Sequence, residues 1–195
     1  MKIYQRHSLK VLLVAVVLGF AVAACQNSEL FEQGEEFTAR PMTTSWSSWA
    51  KNVFQPADCG EESLINGAKC RGSRCSDVAV RCVKGDLKKA SSYWTEYFSE
   101  ENPEELKNKR VCRGDRFVTA IRCKGINCGN VQIQCTDFSN VKKGEDCQWT
   151  PKVSEEEGGT ISFGSSKYVA GVKCHGKRCE SLNFLVCDAA ITPTA

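Results

Sequence analysis

Residues 112–135, Cys-Arg-Gly-Asp-Arg-Phe-Val-Thr-Ala-Ile-Arg-Cys-Lys-Gly-Ile-Asn-Cys-Gly-Asn-Val-Gln-Ile-Gln-Cys, form the segment from which the fold is read. Its four cysteines are separated by 11, 5 and 7 positions, and Cys59, Cys70, Cys75 and Cys82 repeat those separations. A third, irregular copy ends in Cys174, Cys179 and Cys187. The chain is therefore one unit written three times, with successive copies 53 and 51 residues apart at Cys70, Cys123 and Cys174. A period near fifty with several short strands per unit predicts an all-β, pseudo-threefold closed architecture. Closure hides the sheet edges that would otherwise promote aggregation.

Each unit has the same internal order. An aromatic opening comes first: Trp46-Ser47-Ser48-Trp49, Tyr93-Trp94-Thr95 and Gln148-Trp149-Thr150. An apolar strand follows and ends in a basic residue and a cysteine, at Lys69-Cys70, Arg122-Cys123 and Lys173-Cys174. A four-residue turn with glycine second (Gly72, Gly125, Gly176) supplies the positive φ that tight turns need. The next strand alternates, with Val78, Val80 and Cys82 on one face, as are Val131, Ile133 and Cys135. Helical periodicity is weak. One short helical turn is expected around Pro103, between Glu100 and Lys109.

The irregular copy bears on cysteine pairing. Phe163 stands where Cys59 and Cys112 stand, Cys147 appears just before a tryptophan, and the last separation grows to 8 at Cys187. If the middle cysteines bond across the turn, the first and last must bond to each other, and a shift in one is answered by a shift in the other. This predicts Cys70–Cys75, Cys123–Cys128, Cys174–Cys179, Cys59–Cys82, Cys112–Cys135 and Cys147–Cys187. Zinc is disfavoured because four residues, not two, separate each close pair, and neither metal nor cofactor is expected.

The N-terminus is read as a targeting segment. Lys2, Arg6 and Lys10 precede an apolar run, Val11 to Ala24, that falls short of the ~20 residues of a membrane span. Val22-Ala23-Ala24-Cys25 resembles a bacterial lipobox, which makes Cys25 the lipidation site and residues 1–24 a signal peptide. Twelve cysteines then remain of thirteen, four per unit. Gln26, not Asp, after the cysteine points to the outer membrane, on its periplasmic face or at the cell surface. Residues 25–44 are expected to be a lipid-anchored polar tether. The β domain is expected at 45–190, in repeats of about 45–90, 91–138 and 139–190, with a tail at 191–195. The signal carries three of the 26 Lys and Arg residues, so the mature chain has 23 basic residues against 23 Asp and Glu. That balance gives no basis for a nucleic-acid partner.

Trp94, Cys112, Gly114, Phe117, Asn130, Val131, Ile133 and Cys135 follow an order that resembles the repeat of the vitelline membrane outer layer protein family. The resemblance covers about residues 45–188. It implies a β-prism of three four-stranded Greek-key sheets around a pseudo-threefold axis, with a first-to-last cysteine bridge in each repeat. The second cysteine pair around each turn departs from that family's pattern. A β-trefoil is the alternative threefold fold.

Functional candidates fall in two groups. Trp46, Trp49, Trp94 and Trp149 recur in the repeat openings, either filling a shared interior or forming platforms for sugar rings. Arg71, Arg74, Lys124, Lys177 and Arg178 line the turns and would suit anionic polysaccharide. The expected activity is that of a non-enzymatic binding or structural module at the cell envelope, its partner a polysaccharide or an envelope protein, with a role in adhesion, motility or envelope assembly. An enzyme acting on glycans would have to use loop carboxylates such as Glu100, Glu101, Glu104, Glu105 and Glu155 to Glu157, since His175 is the single histidine after residue 24.

Overall fold

A computed structural model describes residues 42–192 apart from 52–54, 73, 100–107, 157–158 and 177. The described chain is all-β, with twelve strands, one 3₁₀ turn and no α-helix. Three long hairpins dominate it: β3 (Ser63–Arg71) with β4 (Asp77–Lys84), β7 (Phe117–Lys124) with β8 (Asn130–Phe138), and β11 (Lys167–His175) with β12 (Ser181–Ile191). Their turns centre on Gly72, Gly125 and Gly176, with φ of 73°, 85° and 75°, a region costly for any residue with a Cβ.

Each hairpin is widened on both sides. On one side runs the first strand of its own repeat: β1 (Thr43–Trp46) beside β4, β5 (Lys89–Trp94) beside β8, β9 (Val141–Trp149) beside β12. On the other side runs a strand of two or three residues from a different repeat. Thus β2 (Ala57–Asp58) joins β7, β6 (Lys109–Val111) joins β11, and β10 (Thr160–Ser162) joins β3. The result is three separate four-stranded antiparallel sheets, β1-β4-β3-β10, β5-β8-β7-β2 and β9-β12-β11-β6. They share one topology, and each repeat lends a strand to the next sheet in a closed cycle. The trefoil alternative would need strands of all repeats in one continuous barrel, and the pairing is not of that kind.

Each hairpin carries a bulge at the same place, Asn66, Thr119 and Ala170. The bulge carbonyls accept the backbone N–H of Phe163, Cys59 and Cys112, the residues that follow the three lent strands. One core cluster unites the inward faces of all three hairpins, including Ile65, Val78, Val80, Ile121, Ile133, Val172 and Phe184. A second, smaller cluster includes Leu64, Phe117, Phe138, Val141 and Tyr168, with Phe117 edge-on to Tyr168.

The six disulfides are Cys59–Cys82, Cys70–Cys75, Cys112–Cys135, Cys123–Cys128, Cys147–Cys187 and Cys174–Cys179. Two of the outer bridges join different sheets, because Cys59 and Cys112 follow lent strands while Cys82 and Cys135 belong to hairpins. Cys147–Cys187 instead joins directly opposed residues of β9 and β12 within one sheet.

Three boundaries differ from the sequence expectation. Thr43 and Thr44, assigned to the tether, belong to β1, and Ile191, assigned to the tail, ends β12. Lys109 lies in β6, not in a helical turn, because its backbone is taken up by pairing with β11. Residues 100–107 lie outside the described part, as do Cys25 and the signal and tether residues up to 41.

Candidate functional site

The alternation that buries Cys70, Cys123 and Cys174 turns their neighbours outward. Lys69 and Arg71, Arg122 and Lys124, and Lys173 and His175 thereby share equivalent places on the outer faces of the three sheets. The tryptophans reach the same faces from the neighbouring strands. Trp46 lies opposite Arg81, Trp94 opposite Gln134 and Trp149 opposite Leu185, all at one register position counted from the turns. Just beyond them, the hydroxyls of Ser47, Thr95 and Thr150 accept the backbone N–H of Val80, Ile133 and Phe184. Three residues past each tryptophan come Trp49, Tyr97 and Lys152, followed by Ala50, Phe98 and Val153, which bridge to Val78, Val131 and Leu182.

The two candidate groups are therefore largely one. In the first sheet, Lys69 Nζ lies 4.4 Å from the centre of Trp46 and 4.8 Å from that of Trp49, and the Arg71 guanidinium lies 4.1 Å from Trp49. In the second, Arg122 lies 4.0 Å from Trp94 and Lys124 lies 5.2 Å from Tyr97. Such contacts are worth ~0.5–1 kcal/mol each at exposed sites. They form an aromatic–cation ladder along each of these faces. No tryptophan plugs the interior: Trp46 and Trp149 are each 39% exposed, and Trp49 and Trp94 are half-buried. The core aromatics are Phe98, Phe117, Phe138, Tyr168 and Phe184 instead.

The third face is built differently. Lys152 stands where the other sheets have Trp49 and Tyr97, and among the described residues no lysine or arginine stacks on Trp149. Trp149 there borders a cleft of about 250 Å³ with Lys109, Lys152, Lys173, His175 and Asn183.

The basic turns are partly neutralised. Arg71 pairs with Asp77 at 2.9 Å and Arg74 with Glu180 of the third turn at 3.4 Å. Arg178 is exposed beside Gly129 of the second turn, so the three turns lie close together at one end. Lys177 lies outside the described residues. Glu155 and Glu156 are exposed beside a second cleft that Glu180 also lines. Glu100, Glu101, Glu104, Glu105 and Glu157 are outside the described part. Among the described residues no group of three metal-ligating side chains converges.

Elsewhere, ion pairs set the carboxylate charges. Lys142 and the backbone N–H of Lys143 hold Asp115 below the usual carboxylate range, and Lys167 with Ser166 does the same for Asp188. Burial pushes Lys143 down, while its ammonium donates to the carbonyl of Cys112.

What the sequence reading missed is the coincidence of the aromatic and basic residues on one face, since the pairing that sets Trp46 opposite Arg81 spans 35 positions of chain. A local signal did exist: the hydroxyl residue after each repeated tryptophan marks a fixed join to the hairpin. No family model, curated protein or solved structure matches the chain.

Proposed function

We propose that this domain is a non-enzymatic binding module of the bacterial cell envelope whose ligand is a polysaccharide. The observation that carries the reading is the ladder of outward tryptophans and cations, present in the same register on two sheets and altered on the third. An indole face offers a platform for the apolar side of a sugar ring, and flanking cations and amides offer hydrogen bonds. An interior role for these rings would not need the cations.

The same reading takes the three equivalent sheets as a β-prism about a pseudo-threefold axis, in which the ladders face three directions. One chain then offers several contacts to a repeating polymer, and repeated weak contacts raise avidity. Lipid anchoring through Cys25 is part of the proposal. The twelve cysteines from Cys59 to Cys187 are all bridged, which supports a separate fate for the thirteenth. Gln26 favours the outer membrane as the anchored surface.

A glycan-array screen of the full chain tests the binding reading. Retention on a polysaccharide that weakens when Trp46 and Trp94 are replaced by Ala is the expected result. Retention that survives both replacements would remove the ladders from the function. Anchoring is tested by radiolabelled fatty-acid incorporation, expected in the native chain and absent in Cys25→Ser.

A further inference from the structure

We propose that the cleft on the third sheet, between Trp149, Lys109, Lys152, Lys173 and Asn183, is the site for an acidic sugar residue, one bearing a carboxylate or sulfate. The inference rests on the polysaccharide reading and names where the charge of that polymer is recognised.

Three observations carry it. First, Lys109 and Lys173 are direct cross-strand partners between β6 and β11. Like charges placed opposite one another destabilise a sheet pair. The first sheet avoids this, since Lys69 there faces Thr160. A local rule broken with no compensating carboxylate among the described residues is what a binding site leaves behind. Second, Lys109, Lys152 and Lys173 have no carboxylate within ion-pair distance among the described residues, whereas Arg71, Arg74, Lys84, Lys89, Lys142 and Lys167 all do. Third, the replacement of an aromatic by Lys152 removes the ring that quenches a cation on the other two sheets. The indole of Trp149 is left uncovered by lysine or arginine and 39% exposed.

Size and polarity narrow the ligand. The cleft of about 250 Å³ is below the ~300 Å³ at which sites for drug-sized molecules begin, so it suits one residue of a chain. Asn183 donates its amide N–H to the carbonyl of Thr150, and its amide oxygen has no partner among the described residues. Three lysines lining one small cleft fit a carboxylate or sulfate on the same ring.

The test uses the full chain in detergent, with polygalacturonate and its fully methyl-esterified form as probes. The two share one backbone and differ only in charge. Expected is binding of the acid form alone, lost at about 0.5 M NaCl, where the screening length falls to roughly 4 Å. Lys109→Gln with Lys173→Gln is expected to weaken it about tenfold, while Lys109→Arg with Lys173→Arg retains it. Lys84→Gln, outside both the ladders and the cleft, changes it less than about twofold. The Gln variant should melt at the same temperature as the native chain or higher, since it relieves like-charge opposition, so a folding defect is separable from a binding one.

Equal binding of the esterified polymer, or undiminished binding by the Gln variant, would overturn the inference. So would displacement of the acid polymer by millimolar inorganic phosphate, which would make the cleft a generic anion site. If the esterified polymer binds and Trp46→Ala weakens it, the polysaccharide reading survives without this site. If neither polymer nor any array glycan is retained, both fall.

Discussion

Lys69 stands between two indole rings because β3 turns it outward beside the buried Cys70, and because β1 ends in Trp46 with Trp49 three residues on. The ring of Trp49 serves both Lys69 and Arg71, so it is the residue whose loss should unmake the first ladder. Trp49→Ala is expected to cost about 1–2 kcal/mol, two weak cation–π contacts plus some buried area, measured by urea denaturation. The equivalent Lys152→Ala on the third sheet should cost nothing measurable, because Lys152 supports no ring. Asp188 gives a second expectation at this scale. Lys167 and Ser166 hydrogen-bond its carboxylate and lower its pKa in the folded chain from an ordinary 3.8. The stabilisation is therefore present above that ordinary value and is lost as pH falls through the lower folded value. Thermal melts of Asp188→Asn and the native chain should differ at neutral pH and converge as the pH falls below 3.8.

At the scale of the element, the hairpin with its bridged turn was legible and the lent strand was not. The turn is local: a glycine at the second position, cysteines five apart and an apolar alternation after them all lie within one stretch of chain, and Val78, Val80, Val131 and Ile133 are buried as that alternation requires. Strands β2, β6 and β10 are two or three residues long, too short to carry a period of two, and their partners lie in another repeat. The tryptophans were legible as a repeated position but not as exposed rings, because burial depends on the sheet partner opposite. The two kinds of bridge should differ in strength by the loop they close. Opening Cys70–Cys75, with a sequence separation of 5, should cost about 2 kcal/mol in the chain-entropy model. Opening Cys59–Cys82, with a separation of 23, should cost about 3 kcal/mol. Paired Cys→Ser variants followed by chemical denaturation would measure both. Equal costs would mean that the turn bridge also holds native packing, as its burial among Cys123, Cys174 and their partners in the core allows.

At the scale of the whole molecule, the cyclic exchange of strands makes three joins between sheets, and they are not equal. Cys59–Cys82 locks the first sheet to the second and Cys112–Cys135 the second to the third. At the third join the lent strand β10 is followed by Phe163, whose N–H bonds to the carbonyl of Asn66 in the same way. Its ring packs on Phe184 of β12, with centroids 6.0 Å apart. Among the described residues, the join between the third sheet and the first is thus held without a disulfide, by strand pairing, aromatic packing and the Arg74–Glu180 ion pair. That explains why the odd cysteine pair of the third repeat could move: Cys147–Cys187 closes within a sheet, and nothing covalent is left to close the cycle. The register identifies the missing partner. Counting from the turns, Val186 occupies the place of Cys82 and Cys135, as Phe163 occupies that of Cys59 and Cys112. Phe163→Cys with Val186→Cys should therefore form a seventh bridge without new strain, since strand alternation turns Val186 and Cys187 to opposite faces. The closed loop of about twenty-four residues is worth about 3 kcal/mol, less the lost packing of Phe163 on Phe184, assessed separately with Phe163→Ala. Peptide mapping should find 163 joined to 186 with the six native bridges intact, and denaturation of the oxidised variant should need more guanidinium than the same variant with Ser at both positions. Scrambling with Cys147 or Cys187 would show that the third join is offset from the other two, and the equivalence of the three repeats would then stop at the hairpins.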